Sequence, residues 1–108
     1  MTDVMKELYD IALERKANPQ DGSYTCYLFS KGLDKILKKV GEESAETIIA
    51  AKNGVQEETV GEICDLLYHL IVMMAEAGIP MEAVEEELTR RRAKIGNLKV
   101  MHVSDHET

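Results

Sequence analysis

The stretch Glu62-Ile-Cys-Asp65-Leu-Leu-Tyr-His69-Leu-Ile-Val-Met-Met-Ala75 decides the fold. At about 100° per residue, Ile63, Leu66, Leu67, Leu70, Ile71 and Met74 spread over one broad apolar face, which is the pattern of a packed helix. Glu62, Asp65 and His69 stand at i, i+3 and i+7, a narrow polar stripe on that helix. A charge in such surroundings is costly unless it is paired, hydrogen-bonded or bound to a metal.

Working outward, the helix reads from about Gln56 to Ala77, with Gly78 as its stop and Ile79-Pro80 breaking the chain. Pro80 suits the first position of a further helix carrying Val84, Leu88 and Ile95 on one side. Glu82, Glu85, Glu86 and Glu87 open that helix, and Arg90, Arg91, Arg92 and Lys94 end it, an order that suits the helix dipole. Upstream, a long helix spans about Leu33 to Lys52 and stops at Asn53-Gly54. Its main apolar stripe is Leu33, Ile36, Leu37, Val40, Ile48 and Ala51, with Ala45 and Ile49 as a second edge. Near the N-terminus, Thr2 or Asp3 can cap a helix with Val4, Leu8, Ile11 and Ala12 as its apolar positions, ending before Asn18-Pro19. The segment from Asn18 to Ser23 has turn chemistry, and a short helical piece follows to about Gly32. No strand pattern, internal repeat or low-complexity segment occurs.

The fold expected is all-α: a chain of four to five helices, one domain over residues 1–100 and a frayed tail over 101–108. The two long helices have apolar character on two sides, more than one small domain covers internally, so an intertwined helical-bundle homodimer is expected. Composition agrees, since the 108 residues are 44% hydrophobic but only 5% aromatic, with six Met and no Trp. The net charge of −7 argues against a nucleic-acid partner, although metal and local bases can still bring an anionic substrate to an acidic protein. Cys26 and Cys64 lack C-x-x-C spacing and read as reduced structural thiols. There is no signal-peptide pattern, and the apolar run 66–77 is too short to span a bilayer, so a cytoplasmic protein without a membrane partner is expected.

A second acidic group, Glu42-Glu43-x-x-Glu46, lies on neighbouring turns of the 33–52 helix. Alone it reads as a solvated face with Lys38, Lys39 and Lys52 nearby. Joined to Glu62 and Asp65 it reads as a divalent-cation site between antiparallel helices. Oxygen-only donors suit Mg²⁺, with Mn²⁺ as a substitute, whereas zinc prefers His or Cys. A di-iron bundle needs Glu-x-x-His on two helices and is excluded, because no Glu here has His three residues later. An EF-hand fails because the acids are spaced for a helix. His69 reads either as a neighbour of the site or as a satisfied polar residue on a packed helix.

Lys31, Lys35, Lys38 and Lys39 precede the acids, and Arg90, Arg91 and Arg92 lie on the last helix. Around a metal-bound polyphosphate they would hold the phosphates that the metal leaves uncovered. No P-loop or G-x-G-x-x-G is present, and no Ser or Cys has a nucleophile setting, so water is the natural nucleophile.

The spacing E-E-x-x-E followed by E-x-x-D resembles the all-α nucleoside triphosphate pyrophosphohydrolases, the MazG-like superfamily. Asp21-Gly-Ser-Tyr-Thr25, Lys31-Gly-Leu-Asp-Lys-Ile36, Lys39-Val-Gly-Glu-Glu43 and Asp65-Leu-Leu-Tyr-His69 resemble one branch of it, the phosphoribosyl-ATP pyrophosphohydrolases of histidine biosynthesis. The similarity covers about Leu8 to Ile95. It implies hydrolysis of the α–β phosphate bond of 1-(5-phosphoribosyl)-ATP to phosphoribosyl-AMP and pyrophosphate, with Mg²⁺ required, by a homodimer whose helices pool into a bundle. Some relatives are fused to the pathway neighbour, phosphoribosyl-AMP cyclohydrolase. On this reading Glu43, Glu46, Glu62 and Asp65 hold the metal, and Glu42 is a further ligand or the general base. Lys31, Lys35 and Lys39 steady the phosphates and Arg91 the distal ones, with Ser23, Tyr24 and Thr25 as further substrate contacts. Two alternatives share the acidic pattern: an enzyme that hydrolyses free (d)NTPs to clean the nucleotide pool, and a non-catalytic helical interaction module.

Overall fold

A computed structural model describes residues 3–95. Five α-helices make up the described fold: α1 (Asp3–Ala17), α2 (Tyr24–Lys31), α3 (Leu33–Asn53), α4 (Gln56–Ala77) and α5 (Met81–Ile95). Among the described residues there is no strand, so the expected all-α class holds. The tail expected over 101–108 and the capping role of Thr2 lie outside the described residues.

Each boundary has a local cause. Ser23 caps α2, its Oγ accepting the Cys26 N–H at 3.2 Å. Gly32 alone separates α2 from α3. At φ 89° and ψ −177° it occupies a region essentially reserved for glycine. There it donates to the Leu28 carbonyl and accepts from the Ile36 N–H, so the chain turns a corner without losing a backbone bond. Gly54, at φ 78°, ends α3 and lets α4 fold back along it. α4 ends at Gly78 with the Ile79 N–H reaching the Met74 carbonyl at 2.9 Å. Pro80 stands just before α5 rather than inside it, and its carbonyl takes the Ala83 N–H at 3.1 Å.

α3 and α4 form the central hairpin, with α1 and α2 packed on it. Tyr9 and Ala12 from α1 meet Ile71, Met74 and Ala75 from α4 and Met81 from α5. Leu28, Ile36 and Val72 form a second cluster where α2, α3 and α4 meet. All three of those side chains are fully buried, worth roughly 1.5–3 kcal/mol each. Phe29 and Met73 pack against both clusters and join them. Tyr9 also donates its hydroxyl to the Ile79 carbonyl at 2.8 Å, and Lys16 pairs with Glu76 at 3.0 Å, so α1 is tied to α4 along its length.

The apolar stripe expected on α1 is only partly the buried one. Ala12 is buried, but Val4, Leu8 and Ile11 are exposed, because α1 packs through Tyr9 and Ala12 with Met5 beside them. On α3, Ile36 is buried as expected, while Leu33, Leu37 and Ile48 are not. α4 buries Ile71 and Met74 but leaves Ile63 exposed. Cys26 and Cys64 are both free thiols, and Cys64 is exposed, so it has no packing role within this chain. Among the described residues no single helix is long and apolar enough to cross a membrane.

Candidate active site

The α3–α4 hairpin brings the two acidic groups together. Glu43, Glu62 and Asp65 each place a carboxylate oxygen within 4.8 Å of the others. Glu43 is 6% exposed, an unusual state for an ionisable side chain. One of its oxygens lies 3.5 Å from Lys39 Nζ, and the other, Oε2, is buried without a partner. Glu62 is half-buried as a residue, yet its Oε2 is also sealed and unpartnered. Two orphaned acceptor atoms on neighbouring carboxylates are expensive unless a cation or proton offsets them.

The electrostatics say the same. The Glu62 carboxyl is pushed up to about 7, first by its contact with the Glu46 carboxyl, then by burial, then by the negative charge of Glu46, Glu43 and Asp65. Glu46 is therefore beside the cluster, against Glu62, though it does not complete the tight group of three. Glu42 points elsewhere: its carboxylate pairs with Lys39 at 3.2 Å, and that lysine holds it below the usual carboxylate range, with Lys38 and Lys35 adding to the effect. Lys39 thus bridges Glu42 and Glu43 at the edge of the cluster.

The other expected residues fall into place unevenly. Ser23 is committed to capping α2, and the Thr25 hydroxyl is in short contact with the Tyr68 hydroxyl. Tyr24 donates to His69 Nε2 at 2.9 Å; burial raises its phenol above the ordinary value, with Lys39 opposing and Glu43 adding. His69 is buried with both ring nitrogens engaged, Nδ1 donating to the Asp65 backbone carbonyl at 2.7 Å. Both ring nitrogens of His69 are thus satisfied, and both partners are residues expected at the site from the sequence. Lys31 lies over the Tyr27 ring, 5.7 Å from its centre. Arg91 is bonded to Glu87 at 2.7 Å on α5, which turns from α4 by 117°.

Thr47 was not legible from sequence. Its hydroxyl donates to the Glu43 carbonyl at 2.7 Å and lies 3.3 Å from the Glu62 carbonyl, a link across the hairpin at the level of the acids. Its position one turn after Glu43 was the only available signal, and a threonine there also satisfies ordinary helix chemistry.

A hard divalent cation fits this donor set. Oxygens on one octahedral Mg²⁺ lie roughly 3–4 Å apart, and the three carboxylates already offer oxygens within 4.8 Å of one another. Residues 5–92 match the family described as Phosphoribosyl-ATP pyrophosphohydrolase. The chain belongs to that family. It is 52% identical over 97 residues to a protein of Clostridium novyi named Phosphoribosyl-ATP pyrophosphatase, covering 90% of this chain and 88% of that one. A protein of the same name from Clostridium botulinum is 58% identical over 96 residues, covering 89% and 87%. A Histidine biosynthesis bifunctional protein HisIE of Thermoanaerobacter pseudethanolicus is 58% identical over 84 residues, which are 78% of this chain but 39% of that longer protein. A phosphoribosyl-ATP pyrophosphohydrolase fold therefore carries the three-carboxylate cluster described above.

Proposed function

We propose that this protein hydrolyses 1-(5-phosphoribosyl)-ATP to 1-(5-phosphoribosyl)-AMP and pyrophosphate, a step of histidine biosynthesis. The carrying observation is the convergence of Glu43, Glu62 and Asp65 with two buried, unpartnered oxygens, in a chain of this family. These three residues, with Glu46 beside Glu62, hold Mg²⁺ or Mn²⁺. A bound cation supplies neutralisation of the charge that develops on the phosphates as the anhydride breaks.

The protein's own groups do the rest. Lys39, fixed between Glu42 and Glu43, offers a donor to a phosphate oxygen at the edge of the cluster. Lys35 and Lys31 extend positive charge away from it along α3 and α2. Glu42 lies outside the tight group and serves as an acceptor for an attacking water once substrate competes for Lys39. Thr47 holds α3 and α4 in register across the hairpin, and the His69–Asp65 contact fixes His69 within α4, so the carboxylates meet substrate with little rearrangement. Arg91 contributes to the distal phosphates when Glu87 releases it.

The same chain works as a homodimer. Ile48 and Ile49 are 65% and 59% exposed on α3, and Leu37 on α3 and Val60 and Ile63 on α4 are open as well. Open apolar side chains on a small protein suit an association face, and α3 and α4 carry both them and the carboxylates. The proposed product would pass to the pathway neighbour, phosphoribosyl-AMP cyclohydrolase, a reading that the match to a bifunctional histidine-biosynthesis protein supports. Pyrophosphate release from phosphoribosyl-ATP, ATP and dNTPs at matched Mg²⁺ tests the reading. The first is expected to be turned over with the highest kcat/KM; equal or better turnover of a dNTP would assign a pool-cleaning role.

A further inference from the structure

We propose that the exposed face of α2, built from Tyr24 and Tyr27, is the stacking subsite for the purine of the substrate. This deepens the reading above and rests on it. Helix α2 buries Leu28 and leaves Tyr24 and Tyr27, one turn apart, 45% and 42% exposed. Two half-open tyrosines on an eight-residue helix are unusual, because the same helix has an apolar core available on its other side.

The rings are already arranged as a platform. Tyr24 stacks on Tyr27 with centroids 6.1 Å apart and 23° between planes, and on Tyr68 at 6.3 Å and 26°. Tyr24 cannot rotate freely, since His69 Nε2 holds its hydroxyl and the His69 ring meets it edge-on at 5.7 Å. Tyr68 is held in turn by Thr25. His69 and Tyr68 are therefore positioning residues, which set the plane of a ring they do not replace.

The platform is tied to the acidic helix. His69, which holds the Tyr24 hydroxyl, donates through its other ring nitrogen to the Asp65 carbonyl, and Lys31 Nζ lies over the Tyr27 ring, 5.7 Å from its centre. A nucleotide with its phosphates at the cluster, beside Lys39, would thus lay its base along the tyrosines and displace Lys31 from the Tyr27 face toward its far phosphate. An exposed aromatic pair flanked by lysines complements a purine that carries phosphate on both sides.

The absence of Trp makes the test direct, because emission comes from four tyrosines, three of them in this group. Tyrosine fluorescence of the whole chain is titrated with phosphoribosyl-AMP, with AMP and with pyrophosphate, each with Mg²⁺. The two purine nucleotides are expected to quench and pyrophosphate is not. Tyr27→Ala should weaken purine-nucleotide binding and raise KM for phosphoribosyl-ATP roughly tenfold, with a smaller change in kcat, while Tyr27→Phe retains affinity. Tyr24→Phe, which keeps the ring but frees it from His69, should raise KM less than Tyr24→Ala. Equal quenching by pyrophosphate, or a Tyr27→Ala protein with wild-type KM, overturns the subsite. So does a Tyr27→Ala protein that changes only its oligomeric state, which would make this face a contact between copies. Purine quenching without turnover of phosphoribosyl-ATP would instead sink the assigned reaction and leave the subsite standing.

Discussion

Glu43 and Glu62 face each other across the α3–α4 hairpin, each with its Oε2 buried and without a partner. Within one small chain such a pair costs stability, and the proposed cation would offset that cost. Replacing either acid therefore should have opposite effects on stability and on turnover. Glu43→Gln is expected to lower pyrophosphate release by at least about a hundredfold while the cation-free melting temperature stays level or rises. Circular dichroism and a pyrophosphate assay on the same preparation check both halves.

The Glu62 carboxyl, raised from 4.5 to about 7 in the fold, gives a pH signature. The folded chain binds this proton more tightly than the unfolded chain. Its stabilising contribution is therefore full below the unfolded value and is lost as pH rises toward the folded one. In cation-free buffer the melting temperature is expected to fall between about pH 5 and about pH 8, more steeply for wild type than for Glu62→Gln. Mg²⁺ added at the higher pH should recover the loss in wild type alone. Thermal scans with and without chelator measure it.

Thr47→Val keeps the shape of the side chain but removes the donor shared by the Glu43 and Glu62 carbonyls. A loss of about 1 kcal/mol in unfolding free energy is expected, together with weaker Mg²⁺ activation. Denaturant titration and the Mg²⁺ dependence of turnover report each part. Wild-type Mg²⁺ dependence would show that the cross-hairpin bond has no bearing on the site.

Lys31 Nζ lies over the Tyr27 ring, 5.7 Å from its centre, and a purine stacked there would release it toward the second phosphate of the proposed substrate. Lys31→Ala is expected to reduce kcat/KM for phosphoribosyl-ATP roughly tenfold or more, with a much smaller effect on ATP. Competition between the two nucleotides reads the change in preference directly.

For the homodimer, Ile48→Glu is the sharp test, since Ile48 is open in the isolated chain. Sedimentation should show dimer for wild type and monomer for the variant, with a lower melting temperature. If wild type is a stable monomer at micromolar concentration, the open α3 face needs another partner.

The sequence by itself determined the helices. Period, caps and glycine stops are local, so α4 reads as Gln56–Ala77 from sequence and structure alike, and Gly32, Gly54 and Gly78, all at positive φ, mark real helix ends. The motif positions were also local, because acids at i, i+3 and i+4 must share one side of a helix. Tertiary structure decided which of those acids meet. Glu43, Glu62 and Asp65 converge, Glu46 sits against Glu62, and Glu42 is drawn off by Lys39, a sorting set by the rotation of α3 against α4. It also decided that His69 is a buried anchor for Tyr24, and that α1 packs through Tyr9 while Val4, Leu8 and Ile11 stay open. Hydrophobic period gives the face a helix can bury, but neighbours choose how much of it is buried, and long-range neighbours are not encoded in any local spacing.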